Sequence, residues 1–318
     1  MPLPTGDVLG ILKDNLQRRG SVLPISKGTA TRWAKELDIP YGGETVLYTG
    51  EMYQLVPYID IMVNYIDKLE DTPLARFVKL GRLVNKVFNI SAFFSLLAKR
   101  EAEGYDRILR NAALLLRKAG VDYGYLYGDE LYCGAIVYRS GLDDCLEQHA
   151  LKVYRMLKER GVKTLITMDP HTTDLLRLIY PSMIDGFDIS VKTYMEVLAG
   201  SEMHPERSVD MEVVVHDSCC YARYEGIVEE PRILLERANF RFKEPRDSRK
   251  FTMCCGGPIE ALYPKKAFEI AEKRVQQLKE VGENIVVACP LCLTNLRKAA
   301  RDGTRIDDLV NYLAMAYL

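Results

Sequence analysis

The hydrophobic pattern of the chain alternates between two periods. Short runs of consecutive aliphatic and β-branched residues predict buried strands, whereas apolar residues spaced three and four apart predict amphipathic helices. The predicted strands cover residues 45–48, 121–127, 164–168, 212–215 and 285–288. The predicted helices cover residues 58–69, 74–98, 103–118, 142–160, 172–179, 229–238 and 264–281, with a further helix from Pro290. Alternating strands and helices are typical of an α/β fold with largely parallel sheets and flanking helices.

A sequence repeat divides the chain into two related halves. Residues 164–177 align with residues 284–297, and each segment reads as a strand, an X-Pro-X-X turn and a helix ending in Leu-Arg. A cysteine-glycine turn precedes each segment, at Cys133-Gly134 and at Cys255-Gly256. Two copies of this length indicate a pseudo-symmetric pair of domains rather than a solenoid, which needs at least three repeats.

The repeat also sets the expected domain boundaries. Tyr48-Thr49-Gly50-Glu51 in the first copy corresponds to His216-Asp217-Ser218-Cys219 in the second. We therefore expect a helical N-terminal segment at residues 1–44, a first domain at 45–205 and a second domain at 206–318.

Composition and charge exclude several classes of protein. Lys and Arg number 43 against 44 Asp and Glu among 318 residues, so the chain lacks the basic excess of a nucleic-acid-binding protein. No apolar run reaches the roughly 18 residues that cross a bilayer. The N-terminus lacks the basic-then-apolar order of a signal peptide. We therefore expect a cytoplasmic protein that does not span a membrane and does not bind nucleic acid.

The cysteines are clustered, and this clustering indicates the chemistry. In the second copy, cysteines lie in three motifs: Cys219 after a strand, Cys254-Cys255 in a turn, and Cys289-Pro-Leu-Cys292 at a strand-to-helix junction. In a reducing compartment such clusters indicate metal or redox chemistry rather than disulfides. Because parallel strands end at one edge of a sheet, these three segments can bring five thiolates to one place.

Five thiolates are more than one tetrahedral zinc ion needs, and more than the four of an ordinary cubane iron–sulfur cluster. Adjacent cysteines fit a single metal badly but can bind neighbouring irons of a distorted cluster. The helix that starts at Pro290 adds unpaired N–H groups and the positive end of its dipole, both of which favour thiolate. The residues thus favour an unusual iron–sulfur centre, with zinc bound by four of the five cysteines as the alternative.

The motif resembles the cysteine-rich CCG domain of the heterodisulfide reductase B-type family. Here 34 residues separate Cys219 from Cys254, and 33 separate Cys255 from Cys289, which is slightly short for the family. Residues around the cysteines also agree, including His216-Asp217 and the segment from Ala288 to Leu296. The family includes components of membrane redox complexes, proteins that serve lactate, glycolate and glycerol-3-phosphate oxidation, and components of lipoate-linked sulfur-oxidation complexes.

The resemblance implies a cofactor and a set of site residues. Cys219, Cys254, Cys255, Cys289 and Cys292 would bind one noncubane [4Fe-4S] cluster per chain. The chain would then be an oxidoreductase subunit that breaks or forms a disulfide in a thiol or lipoyl-type substrate.

The same resemblance implies partner subunits. The chain has neither a compact CxxCxxC ferredoxin run nor a GxGxxG turn after a strand, so a ferredoxin-like subunit and a flavoprotein subunit are expected. Two alternatives stay open: a non-catalytic electron-transfer subunit, and a zinc-bound structural subunit.

The first half departs from the family pattern. Its motif positions hold Glu51, Tyr132-Cys133 and Asp169-Pro170-His171-Thr172, so one of five cysteines remains and a second noncubane cluster is not expected. Glu51, Cys133, Asp169 and His171 are still ligand types that could hold zinc or another single metal. The alternative is a degenerate half kept for packing.

Two residues beside the second motif are candidates for a role in catalysis. His216 could donate a hydrogen bond to cluster sulfurs or a proton to substrate, and its alternative role is to cap a turn. Cys220 stands where the family often has histidine. It could support the neighbouring ligands, act as a redox-active thiol or simply be buried.

Overall fold

The computed structural model describes residues 5–23, 25–70, 99–260, 262–300 and 303–318. The helix predicted at residues 74–98 lies outside these ranges. No helix in the described part of the chain is both long and apolar enough to cross a bilayer.

The described residues form two separate sheets in which every pairing is parallel. The strands are β1 (Thr45–Tyr48), β2 (Thr164–Thr167), β3 (Ser190–Thr193), β4 (Met211–His216), β5 (Phe240–Lys243), β6 (Asn284–Val287) and β7 (Arg305–Asp308). The first sheet has the order β1-β2-β3 and the second the order β5-β4-β6-β7. The predicted α/β class with parallel sheets is confirmed.

Helices flank both sheets. They are α1 (Thr5–Arg19), α2 (Lys27–Ala30), α3 (Met52–Glu70), α4 (Lys99–Lys118), α5 (Ala135–Arg139), α6 (Asp143–Glu159), α7 (Pro170–Asp174), α8 (Tyr180–Met183), α9 (Tyr194–Ala199), α10 (Glu230–Arg237), α11 (Pro264–Lys279), α12 (Pro290–Ala299) and α13 (Leu309–Tyr317). Single π-helical turns, which are frequent at functional sites, cover Leu175–Ile179 and Tyr221–Glu225. The second of these turns directly follows Cys219 and Cys220.

The two halves share the local geometry that the repeat predicts. In each half a strand leads to an extended residue, Asp169 or Cys289, which caps a helix whose first residue is proline. Proline suits this position because its missing N–H would have no partner inside the helix. Pairing is also equivalent, since β1 and β2 in the first sheet correspond to β4 and β6 in the second.

The strand predicted at residues 121–127 is wrong. Gly124 and Tyr125 form only isolated bridges, to Val46 and Tyr41, and the chain then coils at Tyr127–Asp129. The backbone passes so close to residues 40–42 that a Cβ on Gly124 would lie 1.7 Å from the Gly42 carbonyl oxygen. This crowding leaves room only for glycine at position 124, and the left-handed residue Tyr127, with φ of +49°, ends the extended run.

The apolar core joins the two halves. One cluster of buried side chains includes Trp33, Tyr53 and Leu116 from the first half together with Val214 and Leu293 from the second. Helices α3 and α4 pack against α12 and α13. Hydrogen bonds cross the same contact, among them those from Tyr53 Oη to Asp308 Oδ2 at 2.7 Å and from Asn111 Nδ2 to Asn311 Oδ1 at 3.0 Å. A second apolar cluster fills the first half, and Leu291 of the second half packs against it.

Candidate metal centre

The five motif cysteines come from the carboxyl ends of neighbouring strands and from one turn. Cys219 follows β4, Cys289 follows β6, and these strands are paired in the second sheet. Cys292 lies in the first turn of α12, and Cys254-Cys255 follows the 3₁₀ turn at Arg249–Phe251. None of the eight cysteines forms a disulfide.

The structure brings all five thiols together. The Cys254 thiol interacts with those of Cys219 and Cys255, and the Cys292 thiol interacts with those of Cys255 and Cys289. The thiols thus form a continuous series, Cys219–Cys254–Cys255–Cys292–Cys289. The pKa of Cys254 is held well below its usual range by hydrogen bonds, the largest effect coming from the Cys219 thiol and the next from the Cys255 thiol. The arrangement favours an anionic centre with several sulfur ligands.

The glycines after Cys255 fix the turn that carries two of these thiols. Gly256 has φ of +82°, and its N–H donates a hydrogen bond to Cys254 Sγ at 3.4 Å. A Cβ on Gly256 would lie 2.5 Å from the carbonyl oxygen of Ala267 in α11. A Cβ on Gly257 would lie 3.4 Å from Cys255 Sγ. Gly256 is therefore required both by the left-handed backbone and by the close approach of α11, and Gly257 fits the space beside Cys255.

His216 lies against the buried side of the thiol series. One ring nitrogen of His216, Cys255 Sγ and Cys292 Sγ all lie within 4.8 Å of one another. Arg274 Nε donates to His216 Nδ1 at 3.1 Å, so the neutral ring carries its proton on Nε2. Nε2 is buried and has no partner. Burial lowers the pKa of His216 to about 3, and the positive charge of Arg274 contributes to the same shift.

Arg274 is a site residue that the sequence reasoning missed. Its side chain is fully buried and also donates to the Asp247 carbonyl oxygen at 2.9 Å and towards Thr252 Oγ1 at 3.4 Å. It projects from the buried face of α11 among alanine and valine residues. A charged residue on the apolar face of a helix is rarely fully buried without partners. The position of Arg274 among apolar residues of a predicted helix could therefore have indicated a buried partner.

Cys220 and His171 meet on the other side of the site. His171 Nδ1 is 3.5 Å from Cys220 Sγ, and His171 Nε2 is 3.7 Å from Cys289 Sγ. Arg139 Nη2 is 3.4 Å from Cys220 Sγ and also pairs with Asp174. His171 and Arg139 belong to the first half, so both halves contribute residues around the thiols.

The four residues considered for a second metal site have separate roles. Asp169 Oδ1 caps α7 by accepting from the N–H groups of His171 and Thr172 at 2.9 Å and 3.0 Å. Cys133 Sγ accepts from Thr172 Oγ1 at 3.3 Å. Glu51 lines a cavity of about 530 Å³ and has φ of +60°.

These four residues do not form a compact ligand group, since His171 faces the second-half thiols. In the described part of the chain, no three of the four have ligand atoms within 4.8 Å of one another.

The thiol series reaches the surface at one end. Cys219 and Cys254 are partly exposed, whereas Cys255, Cys289 and Cys292 are buried. Phe251, three residues before Cys254, is 86% exposed. A molecule that approaches from this side would meet the first two cysteines beside an apolar side chain.

Comparison with known families identifies both halves. The cysteine-rich domain CCG matches residues 96–172 and 213–297. The EtfAB:quinone oxidoreductase of Syntrophomonas wolfei is 28% identical over 228 residues, which cover 66% of this chain and 32% of that protein. One component of the dihydromethanophenazine:CoB–CoM heterodisulfide reductase of Methanosarcina barkeri is 25% identical over 230 residues, which cover 67% of this chain and 56% of that protein.

A third relative is a component of the fumarate reductase (CoM/CoB) of Methanothermobacter marburgensis, 26% identical over 215 residues, or 64% of this chain and 42% of that protein. The matched regions thus span between about a third and just over half of the length of these relatives. The two family matches fall on the two halves of the repeat, and together they cover half of the chain. The chain belongs to the cysteine-rich CCG domain family of the heterodisulfide reductase B type, with two copies of the domain.

Proposed function

We propose that the chain is an iron–sulfur subunit of a heterodisulfide reductase-like oxidoreductase. Cys219, Cys254, Cys255, Cys289 and Cys292 would hold one noncubane [4Fe-4S] cluster. At this centre a disulfide, a dithiol or a protein-bound lipoyl group would be formed or broken. The observation that carries the proposal is the continuous series of five thiols drawn from three distant segments.

The surrounding groups fit a sulfur-rich centre. Five adjacent thiols exceed the four ligands of a structural zinc site. The unpartnered Nε2–H of His216, buried beside Cys255 and Cys292, is a hydrogen-bond donor that sulfide or thiolate would satisfy. The Gly256 N–H offers a second donor to Cys254.

The two ends of the series have different tasks in this proposal. Cys255, Cys289 and Cys292 anchor the centre from inside, where burial excludes water. Cys219 and Cys254 lie on the accessible side, where a substrate sulfur would arrive. When bound, the cluster would supply one-electron steps for cleaving or forming the sulfur–sulfur bond. His216, neutral and held by Arg274, would donate hydrogen bonds towards the sulfurs without changing its own charge.

Electrons must come from, or go to, other subunits or domains. We infer a ferredoxin-like iron–sulfur subunit and a flavoprotein subunit as partners. Relatives whose names describe components of larger oxidoreductases support this inference. Phe251, three residues before Cys254 in the sequence, is an exposed apolar side chain that a partner could cover.

A second candidate function is electron transfer without chemistry on a substrate. Three of the five thiols are buried, and one relative is named EtfAB:quinone oxidoreductase, a redox activity that its name does not link to disulfides. In this case the centre would carry electrons between a flavoprotein and an acceptor.

Metal analysis of the anaerobically purified chain tests both functions. We expect about four irons and four acid-labile sulfides per chain. Cys255→Ser should lose both, because Cys255 stands in the middle of the thiol series. Cys145→Ser is the matched control, since Cys145 is equally buried but belongs to the apolar face of α6. Zinc without sulfide in protein never exposed to air would contradict both functions and leave a zinc-bound structural subunit.

The response of the spectrum to sulfur compounds separates the two functions. A change in the visible and electron paramagnetic resonance spectra on adding a dithiol or a disulfide would place the substrate at the cluster. An iron-loaded protein whose spectra do not respond would instead be an electron-transfer subunit.

A further inference from the structure

His171 belongs to the first half but serves the site in the second. It occupies the third position of Asp169-Pro170-His171-Thr172, and the repeat aligns it with Leu291 of Cys289-Pro290-Leu291-Cys292. Its side chain is 3% exposed. The family motif assigns nothing to this position.

The ring of His171 bridges two thiols. Cys220 Sγ is 3.5 Å from Nδ1, and Cys289 Sγ is 3.7 Å from Nε2. The backbone beneath the ring is held firmly, because Asp169 Oδ1 accepts from the His171 N–H at 2.9 Å. Thr173 Oγ1 reinforces the same turn by donating to the Asp169 carbonyl oxygen at 2.8 Å. The backbone that carries the ring is therefore fixed by the start of its own helix.

The donors and acceptors of this bridge can be assigned from chemistry. Cys289 would be a cluster ligand and hence a thiolate, which only accepts, so His171 Nε2 must carry a proton to bond to it. On the other side of the ring, Nδ1 faces Cys220, which is outside the set of five ligands. Cys220 also accepts from Arg139 Nη2 at 3.4 Å and contacts the Cys219 thiol. The contacts therefore run from Cys220 through His171 to Cys289.

We infer that Cys220 and His171 form a hydrogen-bonded relay that ends on Cys289 and raises the reduction potential of the cluster. The inference rests on the proposed function. A hydrogen bond to a thiolate ligand withdraws electron density and stabilises the reduced cluster. His171 is thus a positioning and tuning residue through which the first half acts on the centre of the second.

Ordinary burial does not account for this arrangement. His149 is also buried in the first half, at 6% exposed, and its Nε2 bonds only to the Tyr132 carbonyl oxygen at 2.6 Å. It has no contact with the second-half thiols among the described residues. His149 therefore provides the matched control for His171.

Redox titration of the anaerobic, iron-loaded chain tests the relay. His171→Leu introduces the residue that the second half carries at the aligned position, and we expect iron content to be kept while the midpoint potential becomes more negative. Cys220→Ala should shift the potential in the same direction by less. The double variant should match His171→Leu, because Cys220 acts through the histidine and the effects of coupled residues do not add. His149→Leu should leave the potential unchanged.

Each other result would overturn the relay. An unchanged potential in iron-loaded His171→Leu protein would show that the bridge does not tune the cluster. Additive shifts would show that Cys220 acts independently, through Cys219. Loss of iron from both His171→Leu and His171→Gln, with the His149 control intact, would make His171 an iron ligand instead. A wild-type chain without iron would contradict the proposed function itself and the inference with it.

Discussion

At the scale of single residues, the first half has carboxylates where the second half has two of its thiols. Glu51 aligns with Cys219 but, unlike it, has a left-handed backbone with φ of +60°. Strained backbone of this kind persists only where the surroundings enforce it. Glu130 lies next to Glu51 and accepts from the Thr49 N–H at 3.2 Å. Glu130 is buried and Glu51 is half-buried, so the ionisation of Glu130 above all is coupled to folding.

We expect Glu130 to make the stability of the chain depend on pH. Burial, with a smaller contribution from Glu51, raises the pKa of Glu130 to about 8 from an ordinary value of 4.5. Because the folded state holds the proton more tightly than the unfolded state, this stability is complete below about pH 4.5 and is lost as the pH rises through about 8. Glu130→Gln keeps the neutral shape and should be more stable than wild type at about pH 9 by roughly 2–4 kcal/mol.

Thermal unfolding of the two proteins across this pH range measures the effect. The midpoints should coincide at acid pH and separate as the pH rises. Glu159→Gln, at an exposed position, is the control and should follow wild type. If the thermal midpoints of wild type and Glu130→Gln changed with pH in parallel, ionisation of Glu130 would not destabilise the folded state.

Residue-scale chemistry was predictable where a motif carried it. The spacing of the cysteines anticipated the five thiols that the fold brings together. His171 was predicted as a possible ligand within the first half but not as a neighbour of the second-half thiols, and Arg274 belongs to no cysteine motif. His171 reaches its partners only through the packing of one half against the other, and Arg274 reaches His216 from a separate helix. Contacts of this kind depend on tertiary structure, which sequence spacing does not encode.

At the scale of elements, the same turn of chain is used twice, and its glycine is essential. Gly134 and Gly256 both have positive φ just after the cysteine that the repeat aligns. In the second half this glycine also packs against the backbone of α11. The turn therefore has two constraints, one on backbone conformation and one on space.

Gly256→Ala and Gly226→Ala separate these constraints. Gly226 also has positive φ, +70°, but a Cβ there would meet nothing within 4 Å. Gly226→Ala should cost only the left-handed backbone, about 1–2 kcal/mol. Gly256→Ala should lower the thermal midpoint further and reduce bound iron, since the Cys254-Cys255 turn must move away from Ala267. Equal effects of the two substitutions would show that the close approach is not important.

The strands that sequence reasoning missed are at the margins of the sheets. The strands β3, β5 and β7 lie at sheet edges and read Ser-Val-Lys-Thr, Phe-Arg-Phe-Lys and Arg-Ile-Asp-Asp. Edge strands carry polar residues that break an apolar run. The strands β1, β2, β4 and β6 have the buried runs that the pattern detects.

At the scale of the whole molecule, the repeat predicts two related halves but not their shared core. The cluster that joins Trp33 and Tyr53 to Val214 and Leu293 is one continuous apolar unit. Tyr53 also donates to Asp308, which caps α13 by accepting from the Val310 N–H at 2.9 Å. A first half that packs in this way can hold His171 against the second-half thiols, and the shared core predicts that the halves unfold together.

Tyr53→Phe tests this cooperativity. The substitution leaves Asp308 Oδ2 buried without its partner, which should cost about 1–3 kcal/mol. Trp33, the single tryptophan, reports on the first half by its fluorescence, and hydrogen exchange in β6 reports on the second. With one cooperative unit, both probes should shift by the same amount.

Tyr123→Phe tests the same cooperativity from within the first half, because the hydrogen bond that it removes is confined to that half. Tyr123 Oη donates to the Ala113 carbonyl oxygen at 2.6 Å, and neither residue belongs to the second half. If the shared core makes the chain one unit, this variant should also speed global exchange in β6, because the stability that it removes belongs to both halves. If the halves were independent, the Trp33 transition would move while exchange in β6 stayed as in wild type. The first half would then be an attached domain, unable to hold His171 in place for the second.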